Sequence, residues 1–183
     1  MRWNCAIPVV ISLHTASVGL TQEDALTFVV SNDISPARPS ATVTLYAGYD
    51  PGGYAQAFAF AGAGLEVGAS EPGWSSQQTL PGGSGPGSDG GALAPGGARV
   101  EGLNVNQIHF PPGGVFADPT NPLPVWQATF EVTDFSARSI DIFTETSDYF
   151  VYTDLYPSRQ SRLDTLIEGA GVIRVIPAPG ASA

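Results

Sequence analysis

The sequence contains no lysine, and charged residues make up only 13% of its 183 positions. Its seven basic residues are therefore all arginine, against 17 acidic residues, and the formal net charge is −10. A chain this acidic, without a basic cluster, repels the phosphate backbones of DNA and RNA. We therefore expect no nucleic-acid partner. The length suits one domain with a substantial core.

Cysteine and histidine are also scarce, which restricts the chemistry available. The single cysteine, Cys5, cannot form an intrachain disulfide or a thiolate metal site. The two histidines, His14 and His109, are too few for a histidine-cluster metal site. His109 lies between two apolar residues and is expected to point outward from a strand. No Gly-x-Ser-x-Gly nucleophile motif is present. The sequence therefore favours a protein that is not an enzyme.

The N-terminus has the order of features typical of a secretory signal peptide. Arg2 precedes a short apolar run at 5–13, and small residues follow. The run is too short to span a bilayer, which requires roughly 20 apolar residues. We predict a signal peptide within residues 1–25, with cleavage after Ser17 or after Ala25, and a secreted or cell-surface location. The alternative is a first β-strand at 7–13.

Residues 123–133 show the alternation that the rest of the chain repeats. Apolar side chains fall on one parity, and polar side chains fall on the other. The apolar positions are Trp126, Ala128, Phe130 and Val132, and the polar ones are Gln127, Thr129, Glu131 and Thr133. Successive side chains of a strand point to opposite faces, so this pattern predicts a half-buried strand whose inner face is rich in aromatic residues.

Further strands are predicted at short, regular intervals. They lie at 26–31, 41–49, 54–61, 65–67, 99–110, 139–146, 148–154 and 171–176. Within 99–110 the alternation slips at Asn106-Gln107, which indicates either two strands or a bulge. The turn sequence at 50–53 predicts that 41–49 and 54–61 form a hairpin, and 65–67 reads as a short edge strand. Short strands without amphipathic helices predict an all-β fold, namely a single antiparallel β-sandwich of eight or nine short strands of jelly-roll or Greek-key type. The domain is predicted to cover 26–176.

The segment 69–98 interrupts this rhythm with glycine, proline and serine. Its centre, 81–91, contains too little apolar surface to offset the entropy lost on ordering. Since strand-like sequence resumes at 99, we predict a long flexible insertion loop within the domain.

The C-terminal sequence carries a resemblance to a known sorting signal. A closing strand at 171–176 runs into Pro177-Ala178-Pro179-Gly180, which resembles the start of the PEP-CTERM region of exported bacterial proteins. In that family a Pro-rich motif precedes a membrane-spanning run and an arginine cluster. Here Ala178 replaces the glutamate of the motif, and the spanning run and arginines are missing, so the tail at 177–183 is truncated or degenerate.

The strand pattern resembles the β-sandwich domains that accompany such tails and, more distantly, cohesin-type modules. The resemblance covers 26–176 and depends on the rhythm of the strands. The resemblance implies a role in the extracellular matrix, in polysaccharide binding or in protein–protein binding. It identifies no catalytic residue.

Two aromatic residues are candidates for carbohydrate binding, because an exposed ring can stack on a sugar. Trp74 lies in a polar segment with no predicted strand to bury it. Tyr46 is expected to point outward from its strand. Trp126 shares parity with core residues and is expected to be buried. The alternative for Trp74 is that it fixes the long loop onto the sandwich.

Acidic and amide side chains provide two further hypotheses. Asp50, Asp118 and Asn121 lie in turns and could offer calcium the oxygen ligands that it takes, although no EF-hand spacing is present. A glycosidase would need two carboxylates roughly 5–10 Å apart. Asp141 and Glu145 share a strand face, and Glu131 could lie beside them.

These observations together favour a non-catalytic, exported structural protein of the surface or extracellular matrix. The alternative is a carbohydrate-binding or cohesin-like interaction module, and a glycoside-active enzyme is a distant third. The expected partners are an extracellular polysaccharide or another surface protein. No cofactor is expected except calcium, and the chain as given contains no stable transmembrane segment.

Overall fold

The computed structural model describes residues 23–110, 114, 116–154, 158–178 and 180. Within these residues the chain forms eleven strands and two short 3₁₀ helices. The strands are β1 (Ala25–Val30), β2 (Ser40–Gly48), β3 (Ala59–Ala69), β4 (Trp74–Thr79), β5 (Ala92–Leu93), β6 (Arg99–Asn106), β7 (Leu123–Glu131), β8 (Arg138–Tyr152), β9 (Arg159–Ser161), β10 (Ile167–Glu168) and β11 (Gly171–Val175), and the 3₁₀ helices are Pro81–Gly83 and Leu163–Thr165. None of the helices among the described residues has the length and apolar character needed to span a bilayer.

The strands form two sheets that pack face to face, which confirms the predicted β-sandwich. The five-stranded sheet has the order β10-β1-β2-β7-β4. The six-stranded sheet contains β11-β8-β3-β6-β5, and β9 pairs with β8. The pairing is antiparallel except between β1 and the two-residue β10. The chain passes repeatedly from one sheet to the other, as the predicted jelly-roll or Greek-key type requires.

Strand β7 has the two-faced character predicted for 123–133. Trp126, Ala128 and Phe130 are buried in the core, while Gln127 and Thr129 are only half-buried. The same alternation in β2 directs Val43 and Leu45 inward. Side chains of this kind from both sheets make one main hydrophobic core, because each sheet buries only one parity of its strands.

The predicted hairpin between 41–49 and 54–61 is wrong. The turn at 50–53 is present, since the Gly53 N–H donates to the Asp50 carbonyl over 3.4 Å. However, β2 pairs with β1 and β7, whereas β3 pairs with β6 and β8. The turn therefore leads from one sheet to the other, and β3 begins only at Ala59. Alternation fixes which face of a strand is buried, but it does not specify the neighbouring strand.

Two further strand assignments change in the structure. The predicted edge strand at 65–67 belongs to β3, a central strand of the six-stranded sheet. The predicted strands 139–146 and 148–154 are parts of the single 15-residue strand β8. Its register against β3 shifts at Ser147. Even-numbered side chains face the core before this bulge and odd-numbered ones after it, so the sequence pattern looks like two separate strands.

The segment 69–98 contains regular structure that its composition does not indicate. It includes β4, one 3₁₀ helix and β5. Strand β4 is the edge of the five-stranded sheet and pairs with β7. The expectation of a plain loop is therefore wrong at 74–79, because hydrogen bonds to β7 and burial of Trp74 offset the ordering entropy of a polar sequence.

The predicted signal peptide lies mostly outside the described residues. Its last positions are inside: Asp24 is 3% exposed and β1 begins at Ala25. The ordered domain thus begins before Leu26. At the other end, β11 is the predicted closing strand, and Pro179 and 181–183 of the predicted tail lie outside the described residues.

Candidate functional site

The central strand of the six-stranded sheet carries three glycines on its outer face. Gly62, Gly64 and Gly68 of β3 point outward, and neighbouring side chains lie over them. A Cβ at Gly64 would come within 2.8 Å of the Ser147 Oγ and 2.9 Å of an Asp148 carboxylate oxygen. Because these positions lack side chains, residues of β6 and β8 pack over the backbone of β3, and a depression remains beside Gly64.

Two β-bulges deepen this depression. Opposite Glu66, strand β6 inserts an extra residue beside Gly102, whose φ is +67°. On the other side, β8 inserts Ser147 between the partners of Gly64 and Leu65. Bulges bend a strand locally and redirect its side chains, and they are enriched beside functional sites. We name the result the Gly64 groove; it has a volume of about 470 Å³ and its walls include Glu66, Asn104, Glu145, Ser147 and Asp148.

Hydrogen bonds fix the floor of the Gly64 groove. The Gly64 N–H donates to the Asp148 carboxylate over 2.8 Å, and the Ser147 hydroxyl donates to the Gly64 carbonyl over 3.0 Å. On the β6 side, the Asn106 amide donates to the Asn104 side-chain oxygen over 2.8 Å. The groove is therefore a preformed feature of three paired strands.

Acidic side chains dominate the charge around the groove. Glu66 and Glu145 lie directly opposite each other on β3 and β8. Arg99 bridges them, with N–O distances of 3.2 Å to Glu66 and 2.8 Å to Glu145. A hydrogen bond from Arg99 lowers the pKa of Glu145, and that bond raises the pKa of Arg99. Arg99 also lies over the Phe143 ring, 5.6 Å from its centroid.

The candidate carbohydrate residues have different environments. Trp74 is 5% exposed, so its ring cannot stack on a sugar at the surface. It packs edge-to-face on Phe130 and Trp126, with centroid distances of 4.9 Å and 6.0 Å, and thereby fixes β4 to β7. The prediction that Trp74 is exposed is wrong, and the alternative that it holds the segment in place is supported. Tyr46 points outward from β2 and is half-buried, and Trp126 is buried as predicted.

The candidate calcium residues make hydrogen bonds within the protein. The Asn121 side chain accepts from the Tyr49 N–H over 3.0 Å and donates to the Tyr49 carbonyl over 2.5 Å. The Asp118 carboxylate accepts from Thr120, and that of Asp50 accepts from the Gly52 N–H over 2.8 Å. Within the described parts of the chain, no three His, Cys, Asp or Glu side chains lie close enough together to hold a metal ion.

The carboxylates considered for glycoside hydrolysis are separated by the sandwich. Glu131 is on β7 in the five-stranded sheet, whereas Asp141 and Glu145 are on β8 in the other sheet. All three point away from the core, so Glu131 does not lie beside the other two. His109 is 9% exposed and packs beside Tyr152 and Phe58, contrary to the expected outward orientation.

Sequence reasoning missed most of the groove. It singled out Glu145, but not Gly64, Asn104 or Asp148. A signal was present, because Gly62 and Gly64 are two residues apart and Gly68 has the same parity, which places all three on one face of a strand. The sequence-based division of β3 into two strands hid that pattern.

The fold has a known structural counterpart. The structure is similar to the seventh ScaB type I cohesin from Pseudobacteroides cellulosolvens, with a TM-score of 0.56 and 10% sequence identity. The similarity covers 86% of this chain and 96% of the cohesin. No known family model matches the sequence, and no curated protein matches it significantly. The predicted resemblance to cohesin-type modules is thus confirmed at the level of the fold.

Proposed function

We propose that the protein is a non-catalytic binding module that holds a protein partner on the outer face of its six-stranded sheet. The observation that carries the proposal is the Gly64 groove, where two bulges flank a glycine of the central strand. A glycine within a strand often marks a place where a ligand or another backbone approaches closely. The fold shared with a cohesin supports this role over that of a purely structural matrix protein.

The acidic charge of this face determines which partners it can attract. Glu66, Glu145 and Asp148 line the groove, and Glu101 and Asp141 are exposed on the same face. Fewer basic residues lie on it, among them Arg99, Arg159 and Arg174. An acidic surface speeds association with basic partners and disfavours acidic ones. The partner is therefore a segment rich in arginine or lysine.

Export to the cell surface or beyond is part of the proposal. It is supported by the N-terminal charge and apolar pattern, and by the acidic, lysine-free composition. The PEP-CTERM-like tail adds a sorting step to the same proposal. Sequencing the N-terminus of protein recovered from the culture medium and the cell envelope tests export, and the intact mass of the same protein tests processing of the tail.

Affinity capture with a matched pair of variants tests the binding face. The protein is immobilised and exposed to a surface extract of its own organism, and captured proteins are identified by mass spectrometry. Asn104→Arg places a large cation at the groove wall, and Thr129→Arg places the same side chain on the outer face of the opposite sheet. Both positions face outward, so neither change should disturb the core.

We expect a basic partner to be captured by the wild-type protein and by Thr129→Arg but not by Asn104→Arg, and to be released as salt is raised. Equal capture by both variants, or no captured protein, would contradict the proposed face.

A further inference from the structure

A second concave site lies at one end of the sandwich, away from the Gly64 groove. It is a cavity of about 490 Å³ between the start of β1, the loop that follows β2, and the segment from β9 to the second 3₁₀ helix. Six of its lining residues carry the argument: Asp24, Asp50, Tyr54, Gln160, Arg162 and Asp164. The volume is in the range of about 300–1,000 Å³ that small-molecule sites occupy.

The base of this cavity, which we name the Tyr54 cavity, contains a buried arginine. Arg162 is 4% exposed. Its Nη1 pairs with the Asp24 carboxylate over 3.2 Å, and its Nη2 donates to the Ala55 carbonyl over 2.6 Å. A Cβ at Gly53 would come within 2.5 Å of the Arg162 Nη1, so the loop after β2 lies directly against the guanidinium.

Two polar atoms at this end have no partner among the described residues. They are the buried Nε of Arg162 and the buried Oε1 of Gln160. Buried donors and acceptors in folded proteins are nearly always hydrogen-bonded to protein, water or ligand, and both residues line the cavity. The base of the cavity therefore offers a bound molecule one further donor and one further acceptor.

The rim presents an aromatic ring. Tyr54 is 96% exposed, although large aromatic side chains usually bury most of their surface. The turn that precedes Tyr54 is fixed, because the Asp50 carboxylate accepts from the Gly52 N–H over 2.8 Å. Tyr54 lines the cavity, and its exposed ring can stack on the apolar face of a sugar.

We propose that the Tyr54 cavity binds the terminal sugar of an uncharged glycan. Tyr54 stacks on the pyranose ring, and Asp50 and Asp164 accept hydrogen bonds from its hydroxyl groups. Arg162 and Gln160 complete the contacts at the base. Four carboxylates line the cavity against one arginine, so phosphorylated, sulfated or uronic sugars are repelled. This site is separate from the proposed protein-binding face.

Calorimetric titration of the full chain with cellobiose, mannobiose and N,N′-diacetylchitobiose tests the proposal, with glucuronic acid as the anionic comparison. We expect one neutral disaccharide to bind and glucuronic acid not to bind. Tyr54→Ala should weaken binding about tenfold or more, since stacking supplies much of the affinity of such sites. Because Tyr54 is almost fully exposed, this change should leave Tm nearly unaltered.

Tyr46→Ala is the matched control, because it removes the same side chain from the outer face of the five-stranded sheet. It should leave the affinity unchanged, and so should Asn104→Arg in the Gly64 groove. Binding that survives Tyr54→Ala, or that is lost in Tyr46→Ala instead, would overturn the assignment. So would the absence of binding by all three neutral disaccharides.

Discussion

At the scale of single residues, the most informative contact is the bridge that Arg99 makes between two opposed glutamates. Like charges directly opposite each other on paired strands are unfavourable. Glu66 and Glu145 hold that arrangement because Arg99 lies within ion-pair distance of both. The geometry keeps three charged groups at fixed positions beside the Gly64 groove, where a basic partner would meet them.

We predict that Arg99→Gln raises the pKa of Glu145 toward its ordinary value. In the wild type the hydrogen bond from Arg99 lowers this pKa. A lowered pKa contributes stability above the unfolded value of about 4.3, and the contribution is lost as the pH falls through the folded pKa. NMR titration of the glutamate carboxyl carbons measures the change. An unaltered Glu145 titration would contradict the proposed bridge.

A second residue-scale contact joins the two sheets. The buried Tyr149 hydroxyl of β8 donates to the carbonyl of Gly48 at the end of β2 over 2.5 Å. Burial, and secondarily the charge of Asp24, raises the pKa of Tyr149 well above its ordinary value. This contribution to stability is complete below the unfolded pKa of about 10, and it falls as the pH rises above that value.

Tyr149→Phe should lower the free energy of unfolding by about 1–2 kcal/mol, because it leaves the Gly48 carbonyl without its partner. The corresponding fall in Tm is roughly 2–8 °C for a chain of this size. Thermal unfolding followed by circular dichroism gives the value. The variant should also lose less stability than the wild type above about pH 10. If both proteins respond equally to alkali, Tyr149 is not the group responsible.

At the scale of elements, β4 shows how one aromatic residue orders a polar strand. Its sequence after Trp74 is Ser-Ser-Gln-Gln-Thr, which has little apolar surface. Pairing with β7 supplies hydrogen bonds on one side. On the other side, the Gln77 amide donates to the Gly91 carbonyl over 3.0 Å, so the following loop lies against the strand.

We predict that Trp74→Ala lowers the free energy of unfolding by about 3–5 kcal/mol, the usual cost of truncating a buried tryptophan. It should also increase amide hydrogen exchange in 74–79 more than in β2. Ser76→Ala, an exposed change in the same strand, is the control and should have little effect. Uniform acceleration of exchange across the domain would contradict a local role for Trp74.

At the scale of the whole molecule, a buried ion pair connects the start of the domain to a distant segment. Asp24 and Arg162 are 138 positions apart, and their side chains are 3% and 4% exposed. The Asp24 carboxylate also accepts from the Thr165 hydroxyl over 2.6 Å and from the Asp50 N–H over 3.1 Å. Removing one member of a buried pair leaves the other charge without compensation.

If the proposed signal peptide is removed, only a cleavage that leaves Asp24 in place preserves this ion pair. We predict that a chain beginning at Val18 is stable, whereas one beginning at Leu26 loses about 3–5 kcal/mol of stability. Asp24→Ala in the longer chain should reproduce most of this loss, which distinguishes the ion pair from the loss of strand residues. Chemical denaturation of the three proteins provides the comparison. Equal stability of the two chain lengths would make cleavage after Ala25 compatible with the fold.

The sequence by itself determined the class of the fold and the inner faces of its longer strands. Trp126, Ala128 and Phe130 are buried as their parity predicts. This information is local, since alternation along one strand records which side faces the core. The frequent glycines and prolines likewise favoured short strands joined by turns.

Tertiary structure alone decided the pairing of strands and, with it, the sites. The turn sequence at 50–53 is compatible with a hairpin and with a connection between the two sheets. It therefore did not indicate that Tyr54 lines a cavity. The Gly64 groove depends on bulges in β6 and β8, which only the register of three paired strands defines. Asp24 and Arg162 meet across 138 positions, a separation at which sequence periodicity carries no information. Sequence patterns specify what each strand buries, whereas sites on a sandwich arise where strands that are distant in sequence become neighbours.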